Sequence, residues 1–67
     1  MFNPEDHMNL IHKWYRKDGF EYQLMGIMLD NEDYWWMLAR GGKLNKNTQL
    51  LSCVCNIEAF GFEQISR

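Results

Sequence analysis

Serine and threonine are nearly missing from this chain: Ser52, Ser66 and Thr48 are the entire supply in 67 residues. No G-x-S-x-G, Walker or dinucleotide fingerprint accompanies them, so the common nucleophile and phosphate-cradling chemistries are excluded and no enzyme is expected. Cysteine is confined to Cys53 and Cys55. They are too close together to close a useful loop, and their spacing matches neither a redox nor a zinc motif, so they read as free, core-filling thiols in a reducing compartment. No apolar run approaches the roughly 20 residues needed to span a bilayer. The opening Phe2-Asn3-Pro4-Glu5-Asp6 is acidic where a leader peptide would be basic. A cytoplasmic protein without membrane attachment is therefore expected.

An excess of one charge is also lacking. Seven basic residues face nine acidic ones, for a net charge of −2, which neither announces a polyanion partner nor mimics one. Metal-ligand spacing is absent too. His7 and His12 lie about 140° apart around a helix and cannot converge on one ion. Asp30, Glu32 and Asp33 lack the spaced ligands and central glycine of a calcium loop. Neither a metal nor a cofactor is expected, and His7 reads as a residue at the edge of the core with a local hydrogen bond.

What the chain does have is an unbroken apolar block, Tyr34-Trp35-Trp36-Met37. Successive strand side chains point to opposite faces, so the block puts one tryptophan on each face of a sheet. A chain of this size buries only about 60% of the surface its unfolded form exposes, and has little matter with which to cover both faces.

The remaining pattern predicts an α+β fold in a single domain, residues 1–67. Asn3 can cap a helix with Pro4 at its first position, running to about Lys17 and stopped by Gly19, with Met8, Ile11, Trp14 and Tyr15 on one arc. Phe20 to Leu29 and Tyr34 to about Arg40 form a hairpin around Asp30-Asn31-Glu32-Asp33. In that register Leu29 faces Tyr34, Ile27 faces Trp36 and Met25 faces Leu38. Tyr22, Leu24, Met28, Trp35, Met37 and Ala39 would occupy the other face. Residues 41–47 read as a mobile basic loop. Residues 48–60 fit a helix ending at Gly61 somewhat better than a strand, and Phe62 to Ser66 a short last strand. The order is then α-β-β-α-β, a small antiparallel sheet with helices on one face. The strand alternative gives one helix plus a three-stranded meander.

The functional expectation is a protein-protein interaction module acting by surface occupation, an inhibitor or regulatory accessory protein, compatible in type with a phage or mobile-element product. Tyr34, Trp35, Trp36 and Met37 are its expected anchors, with Asp30, Glu32 and Asp33 as a polar rim, and the partner is another protein or a second copy in a homodimer. The alternative is nucleic-acid binding through two basic clusters, Lys13, Arg16 and Lys17, and Arg40, Lys43 and Lys46, with aromatic rings available to stack on bases. Trp36 is expected to serve the core and Trp35 the partner.

Overall fold

Asp18-Gly19 sets the chain's first reversal. Both residues adopt positive φ, 53° and 83°, the combination a two-residue hairpin turn requires and Asp-Gly supplies readily. A computed structural model describes residues 2–67. In it β1 (Trp14–Lys17) and β2 (Phe20–Asp30) flank this turn, followed by β3 (Asp33–Arg40), β4 (Gln49–Ser52) and β5 (Glu63–Ile65). The strands form one five-stranded antiparallel sheet in the order β4-β3-β2-β1-β5. Two short 3₁₀ helices, Pro4–Leu10 and Ile57–Phe60, complete the chain. Among the described residues no helix is long and apolar enough to cross a membrane.

The expected α+β fold, with order α-β-β-α-β and helices on one face, is therefore overturned in favour of a sheet-dominated one. The first helix does begin as the sequence indicates, with Asn3 Oδ1 accepting from the Glu5 amide and Pro4 at the start. It ends at Leu10 rather than Lys17. Ile11 is extended, His12 takes φ 76°, and the His12 amide donates to the Leu24 carbonyl. Trp14 and Tyr15, both good strand formers, then enter the sheet. Met8, on the expected buried arc, is 59% exposed. Gly19 is a hairpin residue, not a helix stop. Residues 48–60 also divide: Gln49–Ser52 pair with β3, and only Ile57–Phe60 turn helically, ending at Gly61 with φ 91°. With five strands in the sheet, the one-helix, three-stranded alternative fails as well.

The β2–β3 hairpin is tighter than the expected four-residue loop. Asp30 pairs with Asp33, leaving Asn31 and Glu32 as the turn with φ 50° and 67°. Leu29↔Tyr34 and Ile27↔Trp36 stand as expected, but Leu38 faces Leu24. The register shifts between Leu24 and Gly26, so Met25 is the extra residue of a β-bulge. Because side-chain direction alternates with period two, this one insertion sends Tyr22 and Leu24 to the face of Trp36. The core accordingly gathers Tyr15, Tyr22, Leu24, Trp36 and Leu38 from the sheet, closed over by Cys53, Ile57 and Phe62. Phe2, Leu10, Ile11 and Phe60 pack around it.

Trp36 is only 2% exposed, so truncation should remove both its transfer energy and its packing. Trp36→Ala is expected to cost about 3–5 kcal/mol in chemical denaturation, with Trp35→Ala clearly milder. A turn of this class favours Gly at its second position, whereas a side chain there is strained. Glu32→Gly is therefore expected to stabilise the fold by roughly 0.5–1 kcal/mol, read in the same denaturation series.

Candidate functional site

The residue before a helix cap often packs against the fourth helical residue, and Phe2 and His7 stand in those places. Their rings stack at 4.5 Å with 21° between planes. The pair reaches the sheet: Phe2 lies 5.3 Å from the Tyr34 ring and meets Trp36 edge-on at 5.4 Å, and His7 is 5.6 Å from Trp36. His7 Nδ1 is 3.0 Å from the Asn3 carbonyl oxygen. A carbonyl can only accept, so that nitrogen carries the proton and donates.

The far wall comes from the turn after β4. The Cys53 amide donates to the Tyr34 carbonyl, and Trp36 Nε1 donates to the Cys55 carbonyl at 3.3 Å. These bonds hold the 53–55 segment beside the β3 aromatics. An open recess of about 600 Å³ results, lined among others by Phe2, His7, Tyr34, Trp36, Glu32 and Asp33. Its walls carry two carboxylates and no lysine or arginine. Among the described residues no cluster of His, Cys, Asp and Glu could hold a metal ion.

Four of the seven expected anchor and rim residues thus come together here: Tyr34, Trp36, Glu32 and Asp33. Asp30 adjoins on the same hairpin but is not part of the recess wall. Trp35 and Met37 alternate to the opposite face, where Trp35 pairs with Met28 and Ser52, and Met37 with Gly26 and Leu50. Trp35 Nε1 donates weakly to the Asp30 carbonyl at 3.4 Å. Phe2 and the 53–55 segment were not legible as site residues. An apolar residue preceding a strong helix cap was the available signal for Phe2; nothing local marks the 53–55 turn.

The basic residues do not assemble into one stripe. Arg16 pairs with Glu21 across the β1–β2 hairpin, and Arg67 joins the same carboxylate group at 2.9 Å. Lys17 lies over Phe62 at 5.1 Å and Arg40 over Phe20 at 3.7 Å. Lys13 borders Trp14 and Arg67 at a smaller polar recess. Lys43 and Lys46 are exposed in the loop after β3. No protein-family model, curated protein or solved structure matches this chain.

The two thiols differ sharply. Cys53 is buried and desolvation pushes its pKa up to about 11, whereas Cys55 is exposed. Tyr15 is raised as well, by burial and then by the negative charge of Glu58. For both groups the folded state holds the proton more tightly, so their contribution is complete below the unfolded pKa and lost as pH rises through the folded one. Stability should therefore fall between about pH 9 and 11, less steeply in Cys53→Ala. In alkylation at neutral pH, Cys55 should react rapidly and Cys53 only on unfolding.

Proposed function

We propose that this chain is a protein-binding module that works by occupying a partner's surface, as an inhibitor or regulatory accessory protein. The observation that carries the reading is the convergence of Tyr34, Trp36, Glu32 and Asp33, with Phe2 and His7, around one open recess at the end of the sheet. Aromatic anchors beside a recess with a charged rim are the composition of an interface hot spot. Two free cysteines suit a reducing, cytoplasmic setting.

Nucleic-acid binding is the weaker reading. Arg16, Lys17 and Arg40 are engaged with Glu21, Phe62 and Phe20, and Arg16 projects from the face opposite Lys17 and Arg40, as its alternation along the paired strands requires. Self-association belongs to the leading proposal, through the opposite sheet face, where Leu50 is 49% exposed beside Met37.

Capture from a native extract, with and without nuclease, tests the reading. The wild-type chain should retain a protein that nuclease does not release and that Tyr34→Ala and Asp33→Lys both lose. Sedimentation of the purified chain distinguishes a second copy from a different protein, since Leu50→Asp should convert a dimer to a monomer. Retention that vanishes with nuclease, or that both recess variants keep, overturns the proposal.

A further inference from the structure

We propose that the recess takes an organic ammonium group, the side chain of a lysine or its methylated forms presented by a basic partner. The proposal rests on the protein-binding reading only for the source of the cation; the chemistry of the recess is argued from its walls.

Aromatic rings attract cations through the negative potential of their faces. This chain already uses that attraction elsewhere: Arg67 sits 3.9 Å from the Trp14 ring centre, Arg40 lies over Phe20 and Lys17 over Phe62. None of those cations reaches Phe2, Tyr34 or Trp36. The recess that these three rings share has Glu32 and Asp33 on its wall and no lysine or arginine; its one imidazole, His7, is stacked on Phe2 with Nδ1 turned to the Asn3 carbonyl. Glu5 and Asp6 occupy the same short helix as His7. An anion would meet two carboxylates with no lysine or arginine to balance them, and a neutral apolar group would leave the carboxylates unanswered. A cation answers both the rings and the rim.

Shape selects among cations. The Phe2 ring is inclined 44° to Tyr34 and 88° to Trp36, so the rings converge at angles instead of forming a parallel slot. A planar guanidinium favours flat stacking or a two-point fork on a carboxylate. A rounded ammonium or methylated ammonium head fits converging rings better. At about 600 Å³ the recess exceeds such a head and leaves room for the flanking peptide. Trp36 is nearly buried, so it forms the floor, and Tyr34 and Phe2, both half-buried, supply the accessible ring surface.

Titration of the isotopically labelled chain with choline and with its neutral isostere 3,3-dimethylbutan-1-ol separates charge from apolar volume. Choline should shift the Trp36 indole N–H and the Tyr34 signals in the millimolar range, with the alcohol roughly tenfold weaker. The double variant Glu32→Gln, Asp33→Asn should weaken choline severalfold while leaving the alcohol unchanged, and Tyr34→Leu, which keeps apolar volume, should reduce the preference for choline. Equal binding of the two compounds, or choline shifts confined to other residues, overturns the ammonium assignment. If that occurs while partner capture still depends on Tyr34, the protein-binding reading stands and only the ligand class falls. If choline binds as expected and no protein is captured, the recess is a small-cation site and the protein-binding reading falls.

Discussion

Met25 is one residue more than the β2–β3 ladder can pair, and the choice of core follows from it. Strand side chains alternate strictly, so without the bulge Tyr22 and Leu24 would share a face with Trp35 and Met37, and β1 would carry Tyr15 to that side with them. With it, Tyr15, Tyr22, Leu24, Trp36 and Leu38 all point one way. Gly26 beside the bulge has no side chain, and a Cβ there would meet nothing within 4 Å. The 11-residue β2 pairs with β1 at its start and with β3 along most of its length.

Covering that face requires very little chain. Ile57 opens the second 3₁₀ helix and Phe62 follows it, Cys53 follows β4, and Phe2 with Leu10 and Ile11 arrives from around the first helix. Tyr22 and Phe62 meet edge-to-face at 5.2 Å, with Lys17 closing over Phe62. The opposite face is covered by other means. Arg67 caps Trp14, and Gly42 approaches so closely that a Cβ there would lie 3.0 Å from the Trp14 ring and 3.2 Å from Gln23 Oε1. With φ 79° as well, Gly42 is the residue that lets the loop after β3 pass over Trp14. On this face Trp35 and Met37 are half-buried and Leu50 is exposed.

The charges are divided along the molecule in a way that composition conceals. A net charge of −2 describes the whole, yet most of the cations that find partners do so around β1, the start of β2 and β5, against Glu21, Phe20, Phe62 and Trp14. Exposed pairs such as Arg16–Glu21 contribute little stability. Their effect is on where positive charge is available. The recess at the other end of β3 is left with carboxylates and rings, and this asymmetry gives the site its chemical preference.

Local chemistry was legible where it acts over a few residues. Asn3 and Pro4 start a helical turn, Gly61 ends another, and the polar run after Leu29 reverses the chain with Leu29 opposite Tyr34. Trp36 is buried, in keeping with the apolar set expected on its face, although alternation alone only separates it from Trp35. Asp18-Gly19 carried an equally local hairpin signal, but the apolar spacing of Met8, Ile11, Trp14 and Tyr15 also suits a helix, and short amphipathic patterns of that kind are ambiguous. Only pairing resolved them: β1 gains ladder hydrogen bonds on both sides, from β2 and β5, which a helix of those residues would forgo. The same holds for Gln49–Ser52 against β3. The bulge at Met25, the seating of Phe2 on His7 and Trp36, and the gathering of Tyr34, Glu32 and the 53–55 turn into one recess depend on contacts between residues distant in the chain. The sequence by itself determined the Asn3 cap, the reversal after Leu29 and the alternation of the aromatic block, because those depend on neighbours a few residues away. The tertiary structure alone decided which face became core and which side chains surround the recess, because register is chosen by the packing of the whole sheet.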